Sequence, residues 1–392
     1  VIDELQQKLG VTFFDYQLEA FEKAQAMPGP APKRCLYYKT GAGKSITSLV
    51  DMVLWDQSEV LVITPPSTYS QWVAAGARLG IDVECMSHAK FRMKDTRLSR
   101  NKAIIADEMH LFGGHGGQGW KKLDRMAAGM QAPLILASAT PNYNDADRVY
   151  CIQHILDPYS CRGGFLQFLY AECTTEQNPF GMEPIVTGFQ RYPDAAAYLA
   201  DLPGVDYLPD DLVYTIEDRV LWTQPTPDLD RYGINHRSRR VIASIIEERH
   251  ARINLALIGD SGSLRAEAYD AIVDIVRKEI PVLVFAAHST VADALGHKLA
   301  EIGLSHAVVT GATPTKQKAE IIARFNRGGI DVLVGTASLA TGTDGMDKVC
   351  DTLIILDDTD DDSLRRQLIG RIMPRGADAD ASAKQVYRLV LQ

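Results

Sequence analysis

At 392 residues with 46% apolar content, the chain is long enough for two or three packed cores and has the make-up of a globular protein. Its apolar runs are too short to span a bilayer, and the opening Val1-Ile2-Asp3-Glu4 lacks the basic and apolar regions of a secretory signal. The expectation is a cytoplasmic protein with no membrane partner, and a net charge of −9 means that any nucleic-acid surface has to be local.

In chain order, a helix is expected over 16–26. A short apolar strand, Cys35-Leu36-Tyr37-Tyr38, then runs into Lys39-Thr40-Gly41-Ala42-Gly43-Lys44-Ser45, with a helix opening at 46–50. Strand, glycine turn and helix N-terminus together make a phosphate cradle, because inward N–H groups and the helix dipole both attract anions. Thr40, Gly41, Ala42, Gly43 and Lys44 would wrap a nucleotide's phosphates, and the Ser45 hydroxyl would hold Mg²⁺. The general pattern has glycine six positions before the lysine, where this chain has Tyr38. The plain alternative is a capping turn with an exposed lysine.

Segments 60–63, 103–106 and 133–137 are near-continuously apolar, as in parallel sheets covered on both faces, with a helix at 68–79 between the first two. The second ends in Asp107-Glu108-Met109-His110, placing two acids where such sheets bind ligands. Asp107 would hold Mg²⁺, and Glu108 would orient and deprotonate an attacking water. From His88 to Lys102, the basic residues Lys90, Arg92, Lys94, Arg97, Arg100 and Lys102 meet one acid, Asp95. That stretch is either a phosphate-binding surface or a solvated face. The run Gly113-Gly114-His115-Gly116-Gly117-Gln118-Gly119 reads as a disordered tip or a mobile functional loop.

Helices at 146–156 and 164–171 precede irregular chain, and the Pro-rich stretch 223–228 reads as a linker. It separates domains 1–225 and 226–392. The second repeats the α/β pattern, with helices at 239–256, 263–278, 290–301 and 316–325 and strands at 281–285, 305–309, 331–334, 352–356 and 386–390. The acidic run 357–362 reads as a solvated loop. Six cysteines without a Cys-x-x-Cys pair read as free thiols; Cys151, His154, Cys161 and Cys173 are too irregularly spaced to argue for zinc.

Taken in order, these motifs resemble those of superfamily 2 helicases and translocases over nearly the whole chain. Phe14-Asp15-Tyr16-Gln17 is similar to the motif that reads adenine, 39–45 to the phosphate loop, and Ile63-Thr64-Pro65-Pro66-Ser67 with Gln71-Trp72 to motif Ia. Asp107–His110 is similar to a DEAH-type box and Ser138-Ala139-Thr140-Pro141 to the coupling motif. In the second half, 282–285 resembles motif IV, Gly335-Thr336 with Thr341-Gly342-Thr343-Asp344 motif V, and Gln367-Leu368-Ile369-Gly370-Arg371 motif VI.

The resemblance implies two tandem RecA-like lobes, each a mainly parallel sheet flanked by helices, with ATP in a cleft between them. Lys44, Asp107, Glu108, Arg371 and Arg375 would be catalytic, with nucleotide contacts from Gln17, Gly342 and Asp344. Thr64, Ser67, Thr336 and Thr341 would hold nucleic-acid phosphates, joined by Lys90 and Arg92 of the basic stretch. Ser138, Thr140 and Gln367 would couple the two activities. Motif VI departs from the pattern, because Pro374 stands where the second arginine is usual and Arg375 follows it. Arg371 would therefore be the arginine finger, with Arg375 joining it only if the loop adjusts. Thr140-Pro141 followed by Asn144, segments 155–158 and 165–168, and Phe325-Asn326 resemble Swi–Snf-type DNA translocases and related phage or bacterial DNA helicases. The implied protein is a monomeric ATP- and Mg²⁺-dependent motor on duplex, forked or branched DNA. An RNA helicase or the motor subunit of a restriction-type complex are the alternatives.

Overall fold

The computed structural model describes residues 1–39, 41–93, 99–138, 146–177, 184–208, 214–221, 257–258, 266–339, 345–356, 365, 368–373 and 384–391. The chain divides into two compact units, Val1–Asp210 and Asp211–Gln392.

The first unit opens with α1 (Ile2–Leu9), α2 (Asp15–Ala26), β1 (Lys33–Tyr38), α3 (Lys44–Leu54), β2 (Glu59–Ile63), α4 (Tyr69–Leu79), β3 (Asp82–Met86), α5 (His88–Arg92) and β4 (Ala103–Ala106). It continues through α6 (Gln118–Ala127), β5 (Leu134–Ser138), α7 (Ala146–Leu156), α8 (Gly164–Glu172), the antiparallel pair β6 (Cys173–Glu176) and β7 (Ile185–Phe189), α9 (Ala195–Ala200) and β8 (Val205–Leu208). Its main sheet has the order β3-β2-β4-β5-β1-β8, and every pairing in it is parallel.

The apolar runs are continuous because both faces of this sheet are covered. Along β2, Leu61 and Ile63 point into one core, while Val60 and Val62 point into the other. The first core takes Phe91 from α5, Leu123 from α6 and Val149 from α7; the second takes Phe21 from α2, Leu49 from α3 and Trp72 from α4. Truncating such a side chain to alanine costs about 2–5 kcal/mol.

One buried polar cluster fixes the start of β1. Arg34 is 1% exposed, donates to Asp51 at 2.6 Å and to the Ala20 carbonyl at 2.7 Å, and pairs with Asp206. A single guanidinium thus ties α2, α3 and β8 to β1. Burial, opposed by Arg34, pushes the Asp51 carboxyl up to about 7.

The second unit contains β9 (Tyr214–Leu221), α10 (Ala266–Glu279), β10 (Val282–Phe285), α11 (Ser289–Glu301), β11 (His306–Val309), α12 (Thr315–Phe325), β12 (Val332–Gly335), β13 (Thr352–Ile355) and β14 (Lys384–Leu391). Its sheet runs β11-β12-β10-β13-β14-β9, again parallel throughout. Strand β9 pairs with β14 over eight residues, from Tyr214 opposite Lys384 to Leu221 opposite Leu391. The sequence reading assigns residues 211–225 to the first domain. A strand belongs to the sheet whose hydrogen bonds it completes, so β9 belongs to the second unit although it precedes the Pro-rich stretch. That stretch and the helix expected at 239–256 lie outside the described residues.

Candidate functional site

Because their pairings are parallel, β1, β2, β4 and β5 all end on one edge of the first sheet. β5 lies between β1 and β4, so the loop from Lys39 and the box from Asp107 leave the sheet one strand apart. This is the carboxyl edge, where open parallel sheets bind ligands.

In the loop, Gly41 (φ 84°) and Gly43 (φ 75°) are left-handed, and Gly43 caps α3. A Cβ on Gly43 would lie 2.9 Å from Gln17 Nε2, so both its backbone and its neighbour demand glycine. Lys44 Nζ donates to the carbonyls of Tyr38 (3.1 Å) and Lys39 (3.2 Å), folding the ammonium back over the turn. Ala42 is buried and its carbonyl accepts from the Tyr16 hydroxyl at 3.0 Å; Ser45 is exposed. Tyr38 is itself buried, its ring 5.9 Å from that of Tyr16 and edge-on to it. It ends β1 rather than opening the loop, so glycine is not required there. Gln17 is buried, accepting from the Phe14 N–H at 3.1 Å and donating to Thr47 Oγ1 at 3.0 Å. Both ends of its amide are engaged by protein, bracing the loop. Thr40 lies outside the described residues.

Asp107 is buried, and its carboxylate accepts from Thr64 Oγ1 at 2.7 Å. Burial and then Glu108 push its carboxyl up to about 6, against the Thr64 bond and the Lys44 charge, which favour ionisation. Its backbone carbonyl lies 2.9 Å from His88 Nε2. A carbonyl can only accept, so His88 carries its proton on Nε2, and burial holds its pKa below the usual value. Glu108 has φ 47° and ψ 55°, a left-handed conformation costing a non-glycine residue about 1–3 kcal/mol. Its Oε2 is buried without a hydrogen bond, 3.4 Å from His110 Nδ1, which in turn is 3.5 Å from Ser138 Oγ. The acidic box and the end of β5 therefore meet through His110; Thr140 lies outside the described residues.

These residues fit a hydrated divalent cation. A buried, unbonded carboxylate oxygen beside a second carboxylate is costly, and a cation with its waters relieves that cost. Asp107 and the Ser45 hydroxyl are the sparse oxygen donors that Mg²⁺ uses together with phosphates and water. Cys151, Cys161 and Cys173 are buried and outside any disulfide, and His154 Nδ1 is 2.8 Å from Asp124; among the described residues no group of three His, Cys, Asp or Glu is placed to hold a metal.

The residues read as a nucleic-acid track fall in different places. Thr64 has no exposed surface and its hydroxyl is spent on Asp107, with Thr68 Oγ1 2.7 Å away, so it belongs to the acid pair rather than to a phosphate surface. Ser67 is half-buried in the 3₁₀ turn Pro66–Thr68, and Lys90 and Arg92 are exposed on α5. Thr336 is nearly buried at the end of β12, its hydroxyl 3.4 Å from Ser338 Oγ. Arg371 is buried, as are Leu368, Ile369, Ile372 and Met373 beside it in the sequence. Lys318 on α12, which the sequence reading missed, donates to the Ser338 carbonyl, and burial and then Arg371 hold its pKa below the usual value. Nothing in a lysine on an amphipathic helix signals such a neighbour 53 residues away. Thr341, Gly342, Asp344, Gln367 and Arg375 lie outside the described residues.

The glycine run is pinned. The His115 N–H donates to Asp147 Oδ1 at 2.9 Å, its Nδ1 meets the same oxygen, and its ring stacks on Phe165 at 4.0 Å. Asp147 stands in the first turn of α7.

Residues 267–376 match the helicase conserved C-terminal domain. S. cerevisiae Dbp5 bound to RNA and ADP BeF3 aligns with a TM-score of 0.60 at 14% identity, covering 99% of this chain and 87% of that one. A Dbp5 variant bound to a Gle1 variant and IP6 aligns with a TM-score of 0.53 at 15% identity, covering 99% and 86%. The Sulfolobus solfataricus SWI2/SNF2 ATPase core in complex with dsDNA reaches 0.40 at 14% identity over 98% and 89%, too distant a likeness to argue from. No curated protein sequence matches the chain. At such identities the likeness concerns the fold: two tandem RecA-like lobes, of which the second carries the helicase domain.

Proposed function

We propose that this chain is an ATP-hydrolysing motor that moves along DNA. The observation carrying this reading is the carboxyl edge of the first lobe, where a glycine loop with Lys44 and a buried Asp107–Glu108 pair stand one strand apart. Lys44 exchanges its two loop carbonyls for the β- and γ-phosphate oxygens of ATP. Asp107 and Ser45 hold Mg²⁺, which supplies charge neutralisation at the phosphates. Glu108 takes the proton of the attacking water, its strained backbone and unbonded Oε2 leaving one oxygen free to accept it. By its place in the motif VI resemblance, Arg371 is the candidate arginine finger.

Ser67, Thr336, Lys90 and Arg92 contact the nucleic-acid backbone without reading sequence. His110 and Ser138 pass the state of the acid pair to β5. Swi–Snf-type motifs in the sequence favour DNA. RNA is the second reading, since the Dbp5 complex with ADP BeF3 holds RNA. The test is Glu108→Gln: the amide cannot accept a proton, so ATP binding persists while turnover is lost, whereas Lys44→Ala loses both. Wild-type turnover by Glu108→Gln would remove Glu108 from this role.

A further inference from the structure

The positive charge of this acidic chain is concentrated. Residues 88–131 carry nine Lys and Arg against four Asp and Glu, within a chain of net charge −9. Two of those acids, Asp107 and Glu108, sit in the candidate nucleotide site, and Asp124 is engaged by His154 at 2.8 Å.

Folding gathers much of this charge on one flank of the first lobe. α5 and α6 cover the same face of the sheet, sharing a core through Phe91, Trp120 and Leu123. Lys122 ties them together, donating to the Met93 carbonyl at 2.7 Å with its ammonium 5.2 Å above the Phe91 ring. Lys121 and Arg125 then face solvent one turn apart on α6, with Arg125 Nε donating to the Lys121 carbonyl at 3.0 Å. Past the end of α6, the Arg100 guanidinium lies 3.3 Å from where a Gly129 Cβ would stand. Lys90 and Arg92 open the row at the carboxyl edge, and Arg100, just before β4, closes it at the opposite edge. The 10 residues of α6 span about 15 Å. That is the rise of roughly four nucleotides along one strand.

A row of exposed point charges along a helix matches a repeating polyanion better than a folded protein surface. We propose that the α5–α6 flank is a second nucleic-acid surface, in which Lys121, Arg125 and Arg100 carry the phosphate backbone away from the motif-lined edge. The inference rests on the motor reading and extends it to a side of the lobe where no helicase motif lies.

The test uses the full chain and duplex DNA, with affinity measured from about 50 to about 200 mM salt. The Arg100→Gln/Lys121→Gln/Arg125→Gln variant is expected to lower the slope of log Kobs against log salt by about 2.7, roughly 0.9 per lost phosphate contact. Its affinity then falls about 40-fold less than that of the wild type across that range. A charge-matched control, Lys8→Gln/Arg277→Gln/Lys278→Gln at exposed positions, keeps the wild-type slope. Binding by the wild type with an unchanged slope in the flank variant, or an equal drop in the control, overturns the flank and leaves the motor reading standing. No binding by the wild type to duplex DNA, single-stranded DNA or RNA overturns both.

Discussion

Replacing Thr64 by Val tests the tie between the second strand and the acid pair. Val keeps the shape of the side chain and removes only its hydroxyl. Thr64 is fully buried, and its hydroxyl donates to Asp107 at 2.7 Å. Thr68 keeps an acceptor in the variant, the Pro65 carbonyl at 2.9 Å, so the loss falls on Asp107 alone. A hydrogen bond to a charged group contributes about 1.5–3 kcal/mol. Felt fully in the transition state, that is about 10- to 150-fold in turnover. The same bond holds the Asp107 carboxyl down, so its loss lets burial push the group further up and weakens its hold on a cation. Titrating Mg²⁺ against ATP turnover should show Thr64→Val with a lower kcat and a higher Mg²⁺ midpoint, and Thr64→Ser close to wild type. Wild-type turnover and midpoint in Thr64→Val would refute the coupling.

Gly114→Ala should disrupt the pinned glycine run, because its Cβ would lie 1.5 Å from Asp147 Oδ2; a thermal midpoint and ATPase rate both equal to wild type would show that the clamp is dispensable. Arg34→Met should lower the stability of the first lobe by about 3–5 kcal/mol in denaturant unfolding, since it leaves Asp51 buried without its cation and Asp206 with Lys23 alone. Asp51 is raised to about 7 in the folded chain against about 4 unfolded, so its contribution is complete below pH about 4 and lost as pH rises through about 7; Asp51→Asn should flatten that part of the stability profile. Arg371→Ala should cut nucleic-acid-stimulated ATPase by about 10³-fold or more, and Arg375→Ala by less, because Pro374 restricts the backbone before Arg375. The reverse order would mean a different register through this segment.

The buried strands were legible because parallel sheets leave near-continuous apolar runs: 103–106 was read and found to its ends, and 133–137 is displaced by one residue from β5. β3 was missed because Asp82 and Glu84 alternate with its apolar residues at the sheet edge, and β8 and β9 because polar residues break them up likewise. The glycine turn at the start of α3 was legible as a local motif, whereas contacts between distant segments were not. Thr64 and Asp107 are 43 residues apart, and only the register of β2 against β4 brings them together. His115 and Asp147, 32 residues apart, turn a glycine run that read as mobile into a clamped turn. Burial also separates side chains that share a motif: Thr64 is fully buried against Asp107, while Ser67 is half-buried in the turn beside it.

The most direct measurement is Mg²⁺-dependent ATP turnover by the full chain, alone and with single-stranded DNA, duplex DNA, forked DNA or RNA. The account predicts hydrolysis that rises when DNA is added and disappears in Lys44→Ala. Turnover that no nucleic acid changes, or no turnover with any of them, would contradict it.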